Sequence, residues 1–170
     1  TQATVFVDHA TKWIKVYLMQ NATGDETLEA KESFEHDCSS RGIEPKHYHA
    51  DNGRFAEQTF TDDFKNKMQK ITFCGVGAHH QNGVADNTIK KLTLTAWTLL
   101  LHAQRHWPEY ITTMMWPFAL LAAADRLNNL HIDLDGKTPE MKFSQATSTS
   151  TRIRNFHTFG CPVYILDARL

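Results

Sequence analysis

The amino-acid sequence predicts an α/β domain in which a mixed β-sheet is flanked by helices. Runs of β-branched and aromatic residues alternate with stretches whose apolar residues recur every three or four positions. Two strand-like runs come first, and later strands then alternate with helices, which is an order typical of α/β folds. The composition agrees, because 170 residues with 41% hydrophobic and 22% charged residues suit a single globular domain.

The first fifty or so residues are predicted to form a β-hairpin, a helix and a third strand. "ATVFVDHATKWIKVYLM" consists of two strand-like runs around the turn "DHATK". Residues 25–41 carry apolar side chains at helical spacing, and Gly42 suits the position just after a helix. "KHYHAD" is a short strand that ends on Asp51. A strand, a helix and a strand in this order imply a crossover connection and a parallel pair.

The middle of the chain is predicted to contain two helices, a strand and a loop. "QTFTDDFKNKMQK" places Phe60, Phe64 and Met68 four residues apart, on one apolar stripe of a helix, and "ITFCGV" is the next strand. "GAHHQNG" has two glycines and no periodicity, which is typical of a loop. From Asp86 onward the chain is predicted to be helical, because apolar residues recur at three or four positions: Ile89, Leu92, Ala96, Leu99, Ala103 and Trp107. Ile89 and Leu92 are expected on the buried face of this helix.

The last third is predicted to hold two more helices and a final strand. Pro108 ends the long helix, and Pro117 begins the Ala- and Leu-rich helix "WPFALLAAADRLNNL". "KTPEMKF" is a short Thr-capped helix with Pro139 at its first position, "SQATSTSTR" is a polar linker and "FGCPVYIL" is the last strand. We therefore expect a core domain over residues 1–145, followed by a linker and a C-terminal strand over 146–170. Four aromatic residues are predicted to belong to the core: Trp97, Trp107, Trp116 and Phe118.

Charge and cysteine content exclude several classes of protein. The net charge is −1 with ten histidines, so the chain as a whole lacks the strong positive charge of a dedicated nucleic-acid-binding protein. Any DNA affinity must come from a local patch. Three cysteines without a CxxC pattern encode neither a disulfide framework nor a zinc knuckle, and a reducing intracellular compartment is expected. The apolar runs are too short to span a bilayer, so no membrane partner is expected.

Two aspartates are predicted to meet at one edge of the sheet. Asp51 ends a parallel strand, the edge at which α/β sheets place ligand sites, and Asp86 opens a helix after a loop. The separation of 35 positions (86 − 51) leaves room for one helix and one strand, enough to return the chain beside the first strand. Two carboxylates that converge there would bind Mg²⁺, and pairs of such ions serve phosphoryl transfer. On spacing alone, turn formation by Asp51 and helix capping by Asp86 remain the commoner explanations.

Longer motifs around the two acids resemble a known family. "HYHADNGRF" followed by "FCGVGAHHQNGVADNTIKKL" resembles the core of retroviral and retrotransposon integrases, in which an acid-Asn-Gly turn precedes a Q-N-G-V-A-E helix start. "WPFALLAAADRLNN", "KTPEMKF" and "FHTFGCPVYIL" are similar, in this order, to the end of copia-type integrases of LTR retrotransposons. The resemblance implies a ribonuclease-H-like fold, a catalytic triad of acids, Mg²⁺ or Mn²⁺ as cofactor, and element ends and target DNA as substrates. It also implies a homo-oligomer, a parent polyprotein and action in the nucleus.

The chain departs from the family pattern at the first acid. In the family, the first catalytic Asp lies on the first strand, and a second, antiparallel strand carries an F-V-D-x-x-[ST]-[KR] run. "VFVDHATKW" matches that second strand, and the 43 residues from Asp8 to Asp51 (51 − 8) suit it. A residue at the far end of an antiparallel neighbour lies at the opposite edge of the sheet from Asp51. We therefore interpret Asp8 as a hairpin-turn residue and expect the first strand, with its Asp, upstream of Thr1.

The third acid differs as well, because the family has Glu where this chain has Asp86. One methylene fewer withdraws the carboxylate by about 1.5 Å, and misplacing a catalytic group by about 1 Å costs on the order of a hundredfold in rate. The resemblance thus implies catalytic and metal-binding roles for Asp51 and Asp86, in a copy whose activity is expected to be impaired. Contacts with DNA are expected from two lysines one turn beyond Asp86 and from three residues of the neighbouring loops: Lys90, Lys91, Asn52, His80 and Asn82.

Other interpretations stay open at this point. An active polynucleotidyl transferase competes with a catalytically inactive integrase-like module that binds DNA or itself. A ribonuclease-H-like hydrolase acting on other nucleic acids shares the fold but not the "QNGVA" loop. Zinc binding by four histidines is a further alternative, although their spacing fits no structural zinc pattern: His47, His49, His79 and His80. A polar strand face and a loop that faces DNA explain these histidines more simply.

Overall fold

The computed structural model describes residues 2–51, 53–75, 82–147 and 156–163 of the chain. Its strands are β1 (Gln2–Val7), β2 (Ile14–Met19), β3 (His47–Ala50) and β4 (Lys70–Phe73). Its helices are α1 (Gly24–Ser39), α2 (Gln58–Asn66), α3 (Gly83–His106), α4 (Trp116–Leu130) and α5 (Pro139–Phe143). This is the mixed α/β architecture that the sequence predicts. Within these ranges, no helix combines the length and the apolar character needed to cross a membrane.

The strands form two separate hydrogen-bonded pairs. β1 and β2 are antiparallel, with Val5 opposite Val16, and β3 and β4 are parallel, with His47 opposite Lys70. The prediction of one mixed sheet with a parallel pair across α1 is therefore wrong for the described residues, in which the parallel pair lies across α2. The strands do not form one sheet because β1 and β3 are not hydrogen-bonded neighbours. Paired strands lie about 4.8 Å apart, whereas an open cleft lies between β1 and β3.

The turn between β1 and β2 is built around Asp8. The Asp8 carboxylate accepts hydrogen bonds from the backbone N–H and the hydroxyl of Thr11, at 2.7 and 2.6 Å. The backbone N–H of Asp8 donates to the carbonyl of Trp13 at 2.8 Å, and Lys12 takes a φ of +65° inside the turn. These bonds confirm the interpretation of Asp8 as a hairpin-turn residue.

Two apolar clusters hold the hairpin to the helices. The first lies among β2, α3 and α4, and its buried members include Ile14, Val16, Leu92, Ala96, Leu100, Ala119 and Ala123. The second lies among the hairpin, α1 and α5, and consists of Phe6, Trp13, Ala30, Phe34, Cys38 and Phe143. The rings of Trp13 and Phe143 stack with their centroids 4.2 Å apart. The hairpin is thus packed on both faces, because successive strand residues point to opposite sides.

The side chain of Asn128 covers the outer edge of β2. Its Oδ1 accepts a hydrogen bond from the backbone N–H of Ile14 at 2.8 Å, and its Nδ2 donates to the Ile14 carbonyl at 2.7 Å. Asn128 is 6% exposed, so these two bonds satisfy polar groups that would otherwise be buried without partners. The bonds attach α4 to the hairpin.

Two helices begin with threonine caps, and the cap predicted for α5 is confirmed. Thr23 precedes α1, and its hydroxyl accepts a 3.3 Å hydrogen bond from the N–H of Glu26. Thr138 precedes α5, and its hydroxyl accepts a 3.2 Å bond from the N–H of Met141. Such caps satisfy N–H groups that have no partner inside the helix. Pro117 lies in the first turn of α4, also as predicted.

The prediction that Met68 continues the apolar stripe of α2 is wrong. Phe60 and Phe64 are buried, but the helix ends at Asn66. Met68 has a φ of +52°, which turns the chain away from the helix and leaves the side chain 92% exposed. A φ in this range is uncommon for a residue other than glycine, and it ends helical geometry.

Three other apolar residues that were predicted to be buried are exposed. α3 begins at Gly83, three residues earlier than predicted, and its buried residues are Leu92, Ala96, Leu100 and Ala103. Ile89 is 43% exposed because it faces the cleft between β1 and β3 instead of a packed element. Trp97 and Phe118 are 49% and 61% exposed, because each is one residue from a buried alanine and so lies about 100° further round its helix. Trp107 and Trp116 do pack against the first cluster.

Besides Thr1 and Asn52, three segments lie outside the described residues: 76–81, 148–155 and 164–170. They include most of the predicted "GAHHQNG" loop and most of the polar linker. Residues 156–163 have turn and irregular structure. The C-terminal strand and the domain boundary near residue 145 therefore stay predictions.

Candidate active site

Asp51 follows the carboxyl end of β3 directly, and its side chain is exposed. Its Oδ1 accepts a 3.4 Å hydrogen bond from the N–H of Gly53, two residues further on. This is an Asx-type turn, so the simple turn-forming role of an Asp before Asn-Gly is present. The bond involves one oxygen of the Asp51 carboxylate, and the side chain remains accessible from solvent.

Asp86 is exposed in the first turn of α3. Asn82 occupies the cap position of this helix but makes no capping hydrogen bond with its side chain. A carboxylate is favourable there, because the free N–H groups at a helix N-terminus carry partial positive charge. Asn82 is half-buried, whereas two other predicted DNA contacts, Asn52 and His80, lie outside the described residues.

Asp51 and Asp86 line the same cleft. The cleft has a volume of about 1120 Å³ and lies among β1, β3 and the first turns of α3. Near Asp86 its wall is formed by Asn82, Val84, Ala85 and Ile89. The fold thus brings both predicted acids to one cavity.

Asp8 also borders the cleft, but at its other end. The N–H of Asp8 donates to the carbonyl of Trp13, and Trp13 belongs to the same apolar cluster as Cys38, so Asp8 lies near the end of α1. The carbonyl of Cys38 accepts a 2.9 Å hydrogen bond from the N–H of Ile43, in the segment that leads into β3. The length of β3, about 13 Å, separates this end from Asp51.

Lys90 and Lys91 lie one turn beyond Asp86 and are exposed, as predicted. The next residue, Leu92, is 1% exposed and packs in the first apolar cluster, which sets the orientation of α3 about its axis. Exposed lysines commonly contact the phosphates of nucleic acids. Their position beside the cleft is compatible with that role, which stays a prediction.

A polar face of β3 and β4 holds a cysteine that the sequence pattern did not reveal. His47 Nε2 and His49 Nδ1 lie 2.9 and 3.0 Å from the hydroxyl of Thr72, and His49 Nε2 lies 3.3 Å from Sγ of Cys74. The period of two in β4 links Thr72 and Cys74, but only the register of the two strands places them beside the histidines. No three His, Cys, Asp or Glu side chains of the described residues are grouped to hold a metal ion. The other two histidines of the zinc alternative lie outside those residues.

The two carboxylates fit the donor chemistry of Mg²⁺. This ion prefers oxygen ligands, and proteins usually hold it through one or two carboxylates while it keeps several waters. Asp51 and Asp86 are both exposed on the same cleft, and each offers carboxylate oxygens of the kind that Mg²⁺ prefers. The described residues supply no third side chain to such a group.

A buried ionic cluster supports β3. Lys31 of α1 is fully buried, and its Nζ lies 2.6 Å from a carboxylate oxygen of Glu35 and 2.6 Å from one of Asp63 in α2. Tyr48, in the middle of β3, donates a 3.0 Å hydrogen bond to Glu35. Burial, followed by the negative charge of Glu35, raises the pKa of Tyr48. The sequence contained one signal for this cluster, the i, i+4 spacing of Lys31 and Glu35.

Comparison with known proteins identifies the fold. No protein-family model and no curated protein matches the chain. Among solved structures, the catalytic core domain of HTLV-2 integrase, in a trimeric form with magnesium, matches with a TM-score of 0.59 and 23% identity, over 82% of each chain. The catalytic core domain of BIV integrase matches with a TM-score of 0.60 and 16% identity, over 84% of each chain. The chain has the fold of a retroviral integrase catalytic core.

A third solved structure extends the likeness to nearly the whole chain. A chain of the simian T-cell lymphotropic virus intasome, in complex with the PP2A regulatory subunit B56 gamma, matches with a TM-score of 0.63 and 18% identity. The match covers 98% of this chain and 56% of that one. The integrase-type fold predicted from the motifs is thus confirmed, whereas the copia-type affiliation stays a prediction.

Proposed function

We propose that the chain is the catalytic-core module of a DNA integrase, which binds DNA ends and target DNA and joins them in a Mg²⁺-dependent strand transfer. One observation carries this function: Asp51 and Asp86 line one cleft in a fold shared with integrase cores. The integrase motifs of the sequence place acids at the same two positions. The structural likeness supports the fold, and the two acids support the chemistry.

The residues of the cleft have distinct roles in this function. Asp51 and Asp86 would hold Mg²⁺, which, when bound, activates the attacking oxygen and stabilises the leaving oxygen of phosphoryl transfer. The Asx-type turn keeps the Asp51 carboxylate at the end of β3, and α3 keeps Asp86 in its first turn. Lys90 and Lys91 contact DNA phosphates beside the cleft and orient the DNA backbone for in-line attack.

We infer that this copy is impaired. Asp86 replaces the Glu of the family pattern, so its carboxylate reaches about 1.5 Å less far. The first acid of the pattern is expected on a strand that precedes Thr1, and two-metal chemistry needs carboxylates on both ions. Among the described residues, no group of three metal-binding side chains compensates for that acid. Residues 1–170 alone are therefore expected to bind Mg²⁺ weakly and to join no DNA.

Strand transfer with labelled DNA ends tests this function. Three proteins are compared: residues 1–170, an N-terminally extended form that carries the family's first acidic strand, and the extended form with Asp86→Glu. We expect no joining by the first, some by the second and more by the third, because the longer side chain reaches the ion. In the extended form, Asp51→Asn should abolish joining. Asp25→Asn, at an exposed position of α1 outside the cleft lining, should not.

Two outcomes would contradict parts of this account. Joining by residues 1–170 that Asp51→Asn abolishes would show that the chain already holds its first acid, and Asp8 would become the leading candidate. If the extended Asp86→Glu protein binds the DNA but joins none, the enzymatic function itself is wrong.

A catalytically inactive module that binds DNA or itself is the second candidate. It is favoured by Asp86 in place of Glu and by the lack of a three-residue metal group among the described residues. The similar structures include dimeric and trimeric integrase cores and an intasome, which supports self-association and DNA binding here. DNA binding that is insensitive to Mg²⁺ and unchanged by Asp51→Asn would favour this candidate over the enzyme.

The same proposal extends to the parent protein. We infer a copia-type retrotransposon polyprotein, because the motifs "WPFALLAAADRLNN", "KTPEMKF" and "FHTFGCPVYIL" follow one another as in that group. A ribonuclease-H-like sheet over residues 1–145 and action in the nucleus belong to this inference. Sequencing the locus tests it, since a neighbouring reverse transcriptase in the same reading frame is expected.

A further inference from the structure

One face of the β3–β4 pair carries polar side chains that the proposed function does not use. Tyr48 points to the other face, where its ring packs against Phe64 of α2 with the centroids 5.0 Å apart. Successive residues of a strand point to opposite sides, so His47 and His49 share the face away from α2. Paired residues of a parallel ladder lie side by side, which places Thr72 beside His49 on that face.

Cys74 extends the same face beyond the end of β4. Its backbone N–H donates to the carbonyl of Ala50 at 3.0 Å, so the parallel ladder continues to this residue. It follows Thr72 by two positions and therefore points to the same side. Its side chain is 7% exposed, and its Sγ lies 3.3 Å from Nε2 of His49, whose ring is exposed. The thiol and the imidazole thus meet at the end of β3 that leads into Asp51.

Thr72 determines which nitrogen of His49 carries the proton. The Thr72 hydroxyl has a single proton, which it donates to the carbonyl of Tyr48 at 3.3 Å. Its oxygen lies 3.0 Å from Nδ1 of His49 and 2.9 Å from Nε2 of His47, so both imidazoles donate to it. Neutral His49 is then protonated on Nδ1, and the lone pair of its Nε2 faces Sγ of Cys74. Metal-binding histidines are oriented in the same way, through the ring nitrogen that does not bind the ion.

The separation of these two donor atoms suits a shared metal ion. Zn²⁺ binds a thiolate sulfur at about 2.3 Å and an imidazole nitrogen at about 2.0–2.1 Å, with tetrahedral angles between its ligands. Two ligands held at those lengths lie about 3.5 Å apart. Sγ of Cys74 and Nε2 of His49 are 3.3 Å apart, so a small shift of the side chains would place both on one ion.

The chemistry of the donors selects the kind of ion. Thiolate sulfur and imidazole nitrogen favour Zn²⁺, whereas Mg²⁺ prefers carboxylate oxygens and water, the donors that Asp51 and Asp86 offer. The described residues add no third His, Cys, Asp or Glu side chain to the pair, so water would fill the other two positions of a tetrahedral ion. The pair differs from the zinc alternative based on four histidines, because it combines one histidine with a thiolate.

We propose that His49 and Cys74 form a binding site for Zn²⁺, with Thr72 as the residue that orients His49. When the ion binds, the S–H bond of Cys74 breaks, a zinc–sulfur bond forms and the proton passes to solvent, with no change of oxidation state. Nε2 of His49 supplies the second ligand through its lone pair. The bound ion joins β3 to β4 at the end that leads into Asp51. The site does not depend on the proposed catalysis.

Titration of the full chain with Co²⁺, a coloured substitute for Zn²⁺, tests the site while the thiols are kept reduced. A thiolate bound to Co²⁺ gives a charge-transfer band in the near ultraviolet, which an ion held by carboxylates does not give. The band should saturate at one equivalent and should disappear when Zn²⁺ displaces Co²⁺. Cys74→Ser should abolish the band. Cys161→Ser is the matched control, since it removes another free thiol, and it should leave the band in place.

Competition between Zn²⁺ and Co²⁺ separates the ligand from its neighbours. His49→Ala should weaken Zn²⁺ binding at least about tenfold, and Thr72→Val, which removes the orienting hydroxyl but keeps the side-chain shape, about tenfold. His47→Ala is the matched control and should change the affinity little, because His47 bonds to the same hydroxyl but not to the thiol.

Three results would overturn the site: a band that survives Cys74→Ser, an affinity that His49→Ala leaves unchanged, or an equal loss of affinity in His47→Ala. Circular dichroism shows whether each variant is folded. If Cys74→Ser does not fold, the comparison of His49→Ala with His47→Ala decides, because both histidines are exposed and their replacement should be tolerated.

Discussion

Lys31 and Asp63 form a 2.6 Å ion pair although the side chain of Lys31 is completely buried. The same ammonium group lies 2.6 Å from Glu35 and donates to the side-chain oxygen of Gln69 at 2.8 Å. It also lies 4.4 Å from the centroid of the Phe64 ring. Three donors thus meet three acceptors, the condition under which a buried charge is tolerated. The cluster ties α1 to α2 beside β3, whose end holds Asp51.

Removal of the Lys31 charge should destabilise the protein strongly. Lys31→Met keeps the aliphatic stem but leaves carboxylates in a largely buried site without their main partner, so we expect a loss of about 3–5 kcal/mol in the free energy of unfolding. Lys15→Met is the matched control, because the ion pair of Lys15 with Asp37 is partly exposed and contributes about 1 kcal/mol or less. Urea unfolding measures both. Similar losses in the two variants would contradict a special role for the buried cluster.

Glu35 should make stability depend on pH in the acidic range. Burial favours its protonated form, but hydrogen bonds from Lys31, Gln69 and Lys67 outweigh burial and lower the pKa from 4.5 to about 2. Because the folded-state pKa is the lower one, the ionised carboxylate stabilises the fold above pH 4.5. That contribution is lost as the pH falls from 4.5 toward 2.

Glu35→Gln measures this contribution. The variant should be less stable than the native protein at pH 7, and its free energy of unfolding should change less between pH 4.5 and the most acidic pH at which the protein stays folded. Glu44→Gln is the control, because Glu44 is exposed and its ion pair among the described residues is with Lys46 at the surface. A Glu35→Gln profile parallel to the native one would contradict the lowered pKa.

Asn128 should contribute more to stability than its neighbour Asn129. Asn128→Ala leaves the backbone N–H and C=O groups of Ile14 without partners in a buried site, at about 1–3 kcal/mol for each unsatisfied group. Asn129 is also buried, but its amide bonds to Asp125 within the same helix, so Asn129→Ala should cost less. Thermal unfolding compares the two. A larger loss for Asn129→Ala would show that the attachment of α4 to β2 matters little.

Local signals in the sequence predicted most of the fold. The cap at Thr138, the proline in α4 and the turn at Asp8 were predicted correctly, because each acts on backbone groups within a few residues. Burial at Met68 and Ile89 was predicted wrongly. The exposure of Met68 depends on where α2 ends, and the exposure of Ile89 depends on the open cleft beside α3. Neither feature is encoded in the spacing of apolar residues alone.

The candidate site was predictable to a smaller extent. The spacing of Asp51 and Asp86 placed both acids on one cleft, as strand–helix–strand geometry implies. The group formed by His49, Thr72 and Cys74 depends on the register of two strands whose paired residues are 23 positions apart, which no single motif specifies. The separation of the strands into two pairs was also missed, because pairing partners are set by tertiary packing.

Lys90 and Lys91 should contribute to DNA binding through phosphates. Each lost phosphate contact removes one released counterion, so the double change Lys90→Ala, Lys91→Ala should weaken duplex binding and lower the slope of log K against log salt by about 2. The matched control Lys65→Ala, Lys137→Ala removes the same charge from exposed positions distant in sequence. A fluorescence titration at several salt concentrations measures the slope. An unchanged slope in the Lys90/Lys91 variant would exclude these lysines from the DNA surface.

Binding of Mn²⁺, a paramagnetic substitute for Mg²⁺, tests most directly whether Asp51 and Asp86 share one divalent ion. In an NMR titration, the amide signals of Gly53 and Asn87, each within two residues of one acid, should broaden over the same range of Mn²⁺ concentration. Asp51→Asn should reduce the broadening at both amides, because the two carboxylates hold the same ion, and Asp25→Asn should change neither. Broadening at one amide alone, or an Asp51→Asn variant in which Asn87 broadens as before, would contradict a shared metal site.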